Sequence, residues 1–67
     1  MKIRVNSSNI KTVDWDKDTL DVEFHKGTHY RYFNVPVNVF NSLINAQSVG
    51  KYFNSNISKH YNFERIK

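Results

Sequence analysis

Alternating apolar and polar residues predict two neighbouring β-strands in the first third of the chain. In the first strand, Val13 and Trp15 point to one side while Thr12 and Asp14 point to the other. In the second strand the apolar residues Leu20, Val22 and Phe24 alternate with the polar residues Asp21, Glu23 and His25. A period of two residues is typical of a strand with one buried face.

Residues 16–19 are polar and turn-forming, and they predict a hairpin between these two strands. A loop at this position pairs Trp15 with Leu20 and Val13 with Val22. All four side chains then share one face, as a buried face requires.

A third strand is predicted over residues 28–33, and the turn before it determines which of its side chains face inward. A two-residue turn at 26–27 would direct Tyr30 and Tyr32 outward. A three-residue loop over residues 25–27, with its glycine in the left-handed conformation, shifts the register by one. We predict this second register because it produces an apolar face and an ion pair together. Its pairs are Val22 with Tyr30, Leu20 with Tyr32 and Asp21 with Arg31.

Two short helices are predicted after the strands. Pro36 suits the first position of a helix, and apolar residues follow it at steps of three and four at Val39, Phe40, Leu43 and Ile44. Ser48 can cap a second helix, whose predicted stripe is Val49, Phe53, Ile57 and Tyr61. Residues 62–67 are basic, and we expect them to be short and frayed.

Together these elements predict one α+β domain over residues 1–67. Its predicted architecture is a three-stranded antiparallel β-meander packed on one face by two short C-terminal helices. The 67-residue chain has no cysteine, so apolar packing must stabilise the fold without disulfides. Ten aromatic residues partly offset the small size of the core.

The net charge is +4, and the charges are segregated along the chain. Five of the six acids lie within residues 14–24, whereas six Lys and Arg residues after position 25 face Glu64 alone. Such asymmetry favours a polyanionic partner. An ordinary small basic domain without such a partner is the alternative interpretation.

Several functional classes have no support in the sequence. There is no nucleophile elbow, phosphate loop or metalloprotease motif, so we expect a protein that is not an enzyme, with no catalytic residue and no cofactor. His25, His29 and His60 lack further metal ligands, so we expect no metal site. The chain has no run of about 18 apolar residues and no signal-peptide pattern, which predicts a soluble protein of the bacterial cytoplasm without a membrane partner.

Short motifs follow one another in a recognisable order. They are Val5-x-Ser7-Ser8-x-Ile10, Leu20-x-Val22-x-Phe24, Gly27, Tyr30-x-Tyr32, Val35-Pro36 and Ala46-x-Ser48-x-Gly50-Lys51-Tyr52-Phe53, then Ile57 and Tyr61. This order resembles the KTSC domain, a short module of some lysyl-tRNA synthetases that also occurs as free-standing bacterial and phage proteins. Trp15 departs from the resemblance, since a tyrosine is expected there. The resemblance implies the predicted fold, and the synthetase context implies RNA binding.

Basic and aromatic residues supply the candidate binding site. Lys51 and Lys59 are eight residues apart, which places them on one exposed side of the second helix. Lys51 also lies in the first turns of that helix, where free N–H groups favour an anion. The candidate phosphate-binding residues are Arg31, Ser48, Gly50, Lys51, Lys59 and Arg65, and the candidate stacking residues are Tyr30 and Tyr32.

Each part of this site has a structural alternative. Tyr30 and Tyr32 can belong to the core, with Arg31 paired to Asp21 or Glu23. The lysines can form an ordinary solvated helix face. The sequence leaves open whether the tyrosines are core or surface.

We predict a small non-catalytic module that binds RNA or another phosphate-bearing ligand. The alternative is a phage or mobile-element protein for host takeover or anti-defence, which binds a host protein or a small nucleotide signal. The sequence predicts no oligomeric state.

Overall fold

A computed structural model describes residues 1–67 and shows an antiparallel sheet with two helices. The strands are β1 (Lys2–Arg4), β2 (Ile10–Asp16), β3 (Thr19–Phe24), β4 (His29–Tyr32) and β5 (Phe63–Arg65), and the helices are α1 (Val37–Ile44) and α2 (Val49–Asn56). The five strands lie in the order β1-β2-β3-β4-β5. Buried residues of both helices join those of the sheet in one core cluster. The predicted α+β class with two helices is therefore confirmed.

The predicted number of three strands is wrong, because β1 and β5 extend the sheet at its two edges. Each is only three residues long, too short for a period of two to stand out in the sequence. The segment expected to be frayed is held to the end of β4 by backbone hydrogen bonds. Phe33 N donates to Asn62 O at 2.9 Å, and Ile66 N donates to His29 O at 2.8 Å.

The predicted strand registers are confirmed. In the first hairpin Trp15 pairs with Leu20 and Val13 with Val22. Gly27 has a φ of 102°, as the three-residue loop requires. The pairs between β3 and β4 are Leu20 with Tyr32, Asp21 with Arg31 and Val22 with Tyr30.

The core consists of apolar side chains from the helix-facing side of the sheet and from the helices. Its eleven buried members are Ile10, Val13, Leu20, Val22, Tyr32, Val35, Phe40, Leu43, Val49, Phe53 and Ile57. Phe24 and Trp15, both expected in the core, are partly covered and pack against it. The Trp15 indole Nε1 donates a hydrogen bond to Val35 O at 2.8 Å, which ties β2 to the segment that leads into α1.

The helix boundaries differ in detail from those predicted. Pro36 is the residue before α1, with φ −64° and ψ 153°, so the helix begins one residue later. Ser48 caps α2 as predicted, since its Oγ accepts a hydrogen bond from Lys51 N at 3.3 Å.

The second helix ends earlier than its apolar stripe predicts, at Asn56. Ile57 N and Ser58 N both donate to Phe53 O, at 3.0 and 2.9 Å, which closes the last turn. The helix is rich in Asn and Ser, which favour turns and helix ends over helix interiors. Lys59 therefore lies in the turn after α2, and the prediction that Lys51 and Lys59 share one side of a helix is wrong.

We expect Phe53→Ala to lower the free energy of unfolding by about 3–5 kcal/mol, because the ring is 5% exposed and its loss leaves a cavity. Phe33→Ala is the matched control, because Phe33 is 36% exposed and its truncation should cost less than about 1 kcal/mol. Urea unfolding of both variants measures the difference. Equal stability of the two would contradict the core assignment.

Tyr32 should make stability depend on pH in alkali. Burial, followed by the nearby Tyr30, raises the pKa of Tyr32 to about 12, whereas an unfolded tyrosine titrates near pH ~10. Between these values the unfolded chain loses a proton that the folded protein keeps, so stability falls as pH rises, by about 2–3 kcal/mol. Urea unfolding at about pH 8 and about pH 11, which covers about half of this range, should show a loss about 1–2 kcal/mol smaller in Tyr32→Phe than in the parent. An equal loss in both proteins would refute the role of Tyr32.

Candidate functional site

A polar cleft of about 350 Å³ lies between the β1–β2 loop and the start of α2. We call it the serine cleft, and its main polar wall residues are Ser7, Ser8, Asn9, Ser48, Lys51 and Asn54. All ten residues that line it are neutral except Lys51, so no acid faces the cleft. The cleft is therefore weakly positive and rich in hydrogen-bond donors.

Local hydrogen bonds shape both walls of the serine cleft. Ser7 Oγ accepts from the backbone N–H groups of Asn9 and Ile10, at 3.3 and 3.2 Å, which folds the loop into a turn. His25 Nε2 lies 2.9 Å from Ser7 O and fixes the turn from the other side. On the opposite wall, a side chain added at Gly50 would contact Ser7 Oγ at 3.5 Å. Gly50 and Ser7 therefore lie within van der Waals reach of each other where the two walls meet.

The start of α2 contributes backbone donors to this cleft. The first N–H groups of a helix have no partner within it. The Ser48 side chain accepts the N–H of Lys51, whereas no backbone or side-chain hydrogen bond uses those of Val49 and Gly50. The first turn also carries no acidic residue. Free N–H groups and the helix dipole together favour an anion here.

A second depression adjoins the serine cleft, because Asn9 lines both. This aromatic groove has a volume of about 360 Å³ and is lined by Asn9, Phe24, Lys26, Thr28 and Tyr30. It also has no acidic residue in its wall. The two depressions are therefore neighbours on the protein surface.

Two aromatic side chains next to this groove differ sharply in exposure. Phe63 is 54% exposed, whereas Tyr32 is 2% exposed and belongs to the core. Tyr30 is half-buried, with its ring centroid 5.5 Å from that of Phe63. Burial excludes the Tyr32 ring from stacking on a ligand, which corrects its place among the candidates. Tyr30 keeps an accessible part that lines the groove.

Arg31 lies on the opposite face of the sheet, because it alternates with Tyr30 and Tyr32 along β4. Its guanidinium donates to both carboxylate oxygens of Asp21, at 2.8 and 3.2 Å. These hydrogen bonds raise the pKa of Arg31. The structure thus separates Arg31 from the serine cleft and supports the alternative interpretation of Arg31 as an ion-pair partner.

The remaining candidates are placed differently. Ser48, Gly50 and Lys51 line the serine cleft together. Arg65 pairs with Tyr30 across β4 and β5, so both side chains lie on one face of the sheet. Lys59 is exposed in the turn after α2 and lines neither depression.

Several residues on or beside this surface are not among the candidates predicted from the sequence, and they include Ser7, Asn9, Lys26 and Phe63. The motif that contains Ser7 and Ser8 and the motif around Ser48 are both visible in the sequence. Only the fold shows that these two motifs face each other. Phe63 lies in a three-residue strand, and its weak alternation with Arg65 is the sole sequence signal.

The three histidines lie in separate places. His25 contacts Ser7 O at 2.9 Å, His60 contacts Ser55 O at 3.0 Å, and His29 Nε2 lies 3.7 Å from Asp21 Oδ2. No three His, Asp or Glu side chains of residues 1–67 come close enough to hold a metal ion. Neither helix has the length and apolarity that crossing a bilayer requires.

Two comparisons with known proteins, one with a family model and one with a solved structure, give the same family. The family model of the KTSC domain matches residues 6–61. The fold is similar to the crystal structure of a KTSC domain protein from Yersinia pestis, with a TM-score of 0.90 and 27% sequence identity between the two chains. The comparison covers 100% of this chain and 97% of that chain.

Two relatives by sequence differ greatly in length. An uncharacterized protein of Stutzerimonas stutzeri (strain A1501) is 35% identical over 68 residues, which cover 97% of this chain and 96% of that protein. A lysine–tRNA ligase of Nostoc punctiforme is 36% identical over 66 residues, which cover 96% of this chain and 12% of the ligase. The chain therefore corresponds to a small part of that enzyme.

Proposed function

This chain belongs to the KTSC domain family, and we propose that it is a small, non-catalytic module that binds nucleic acid, with RNA preferred. In this proposal a backbone phosphate occupies the serine cleft. Lys51 neutralises the phosphate, while hydroxyl groups and the free N–H groups of α2 donate hydrogen bonds to it. Arg65 and Lys59 are exposed cations that can extend the contact to neighbouring phosphates.

The observation that carries the proposal is the composition of the serine cleft. It combines a helix start, two hydroxyl-bearing turns and a lysine, and it contains no acid. Phosphate oxygens accept hydrogen bonds from these same groups in protein–nucleic acid contacts. A carboxylate in the wall would repel a phosphate, and none is present.

The distribution of charge also favours binding of a polyanion to the side of the protein that carries the serine cleft and the aromatic groove. Asp14, Asp16 and Asp21 line a separate depression near the β2–β3 turn, together with Lys17 and Arg31. None of these residues lines the serine cleft or the aromatic groove. With a net charge of +4 on the chain, the acid-free side attracts a polyanion more strongly than the acidic side does.

The preference for RNA is supported by the occurrence of a related segment within a larger enzyme. The segment that is 36% identical to this chain is part of a lysine–tRNA ligase, an enzyme whose name includes tRNA. Serine and asparagine side chains near a sugar–phosphate backbone can also contact the 2′-hydroxyl, which distinguishes RNA from DNA. The proposal places the protein in the bacterial cytoplasm, where it would meet RNA.

The alternative prediction is that the chain is a phage or mobile-element protein for host takeover or anti-defence. Such a protein would bind a host protein or a small nucleotide signal. Polymer binding releases many counterions and weakens steeply with salt. Binding of a protein through an apolar patch does not share this steep dependence.

We expect the parent protein to bind single-stranded RNA in a salt-sensitive manner, and Lys51→Gln to weaken this binding about tenfold at low salt. The variant loses a charge-assisted contact to phosphate, and its slope of log affinity against log salt should become shallower by about 0.7. Fluorescence anisotropy with a labelled oligonucleotide measures both quantities.

Lys17→Gln is the matched control, because it removes the same charge from an exposed residue of the acidic side. It should change affinity less than about twofold, and Lys59→Gln should lie between the two. Equal effects of the variants of Lys51 and Lys17 would show that net charge alone drives binding. Absence of salt-sensitive binding by the parent would refute the proposed function.

A further inference from the structure

We propose that the aromatic groove is a stacking site for one unpaired nucleobase, which makes single-stranded RNA, and not duplex RNA, the substrate class of this domain. The inference rests on the proposed function, since it extends the phosphate site of the serine cleft into the adjoining groove. Tyr30 lines the groove, Phe63 contacts Tyr30 beside it, and these two rings supply the stacking surface in this assignment.

The exposure of Phe63 is the first observation. It is a large aromatic side chain that is 54% exposed on a three-residue strand. Its ring contacts Tyr30 and Tyr32 at centroid distances of 5.5 Å, with interplanar angles of 32° and 36°. One side of the ring is thus fixed by aromatic neighbours, and the rest remains in solvent. A flat, supported and exposed ring is what a base needs for stacking.

The surrounding rings hold this surface in place. Tyr30 contacts the Phe24 ring edge-on at 5.9 Å, and Phe24 contacts the buried Phe53 ring at 5.8 Å. Phe63 is therefore connected to the core through a chain of aromatic contacts. Such a surface loses little conformational freedom when a ligand binds, and this loss is a main cost of binding.

The polar residues of the groove match the other parts of a nucleotide. Asn9 and Thr28 offer hydrogen-bonding groups at the rim, and an asparagine amide can both donate to and accept from a base edge. Lys26 lines the groove, and Arg65 lies beside Tyr30 on the neighbouring strand. With Lys26 and no acid in its wall, and with Arg65 on the neighbouring strand, the groove favours an occupant that is aromatic, hydrogen-bonding and anionic.

Asn9 lines both the groove and the cleft. A chain with one phosphate in the serine cleft therefore has an adjacent base at the entrance to the groove. A base within a duplex is paired and stacked on its neighbours, so it must be unstacked before it can enter. This geometry selects single-stranded RNA or an unpaired loop.

The test compares Phe63→Ala with Phe33→Ala, which removes the same side chain from an exposed position that belongs to none of the aromatic pairs around Tyr30. The probes are a labelled single-stranded RNA of about ten nucleotides, a duplex with the same number of phosphates, and a single strand that lacks bases. We expect Phe63→Ala to weaken binding of the single strand about tenfold. Phe33→Ala should leave this affinity unchanged, and neither variant should change the affinity for the strand without bases.

A second variant, Phe63→Trp, shows whether weaker binding by Phe63→Ala results from lost stacking or from lost folding. Tryptophan keeps the stacking surface, so we expect retained affinity together with quenching of its fluorescence by the single strand and not by the duplex. Phe33→Trp, with its indole outside the groove, should show no such quenching.

Equal affinity of Phe63→Ala and Phe33→Ala, or equal affinity of the parent for duplex and single strand, would overturn the stacking site. If the stacking site were overturned but Lys51→Gln still weakened RNA binding, the proposed function would stand without the stacking site. Failure of the parent to bind any of the three probes would overturn both.

Discussion

The register between β3 and β4 is the constraint on which the rest of the structure depends. The loop over residues 25–27, with Gly27 at a φ of 102°, pairs Tyr30 with Val22 and Tyr32 with Leu20. A shift of one residue would turn both tyrosines to the outer face of the sheet and bury Arg31. The same register fixes β5, since Phe63 pairs with Tyr32 and Arg65 with Tyr30. The core, the outer ion pair and the exposed aromatic surface therefore all follow from one loop.

The features that the sequence predicted correctly are local ones. Alternation along β2 and β3, the glycine of the loop and the cap at Ser48 each depend on a few adjacent residues, and the structure confirms all three. Arg31 was a candidate for phosphate, yet the same register argument had already paired it with Asp21. The two interpretations competed, and the hydrogen bonds of 2.8 and 3.2 Å support the ion pair.

The features that the sequence did not predict depend on contacts between distant segments. The edge strands β1 and β5 are each three residues long, and backbone hydrogen bonds to their neighbours hold them. The end of α2 at Asn56 is set by the turn that follows, although the apolar stripe continues to Tyr61. The serine cleft joins residues about forty positions apart in the chain, Ser7 to Gly50, and no spacing rule in the sequence brings them together.

We propose that the serine cleft and the aromatic groove act as one binding surface for single-stranded RNA. Amide chemical shifts of the labelled protein, followed by NMR during titration with a short single-stranded RNA, test it most directly. We expect the largest changes at the residues of this surface, namely Ser7, Asn9, Gly50, Lys51, Tyr30 and Phe63. Largest changes at Asp14, Asp21 and Arg31 on the outer face, or no change at any residue, would contradict it.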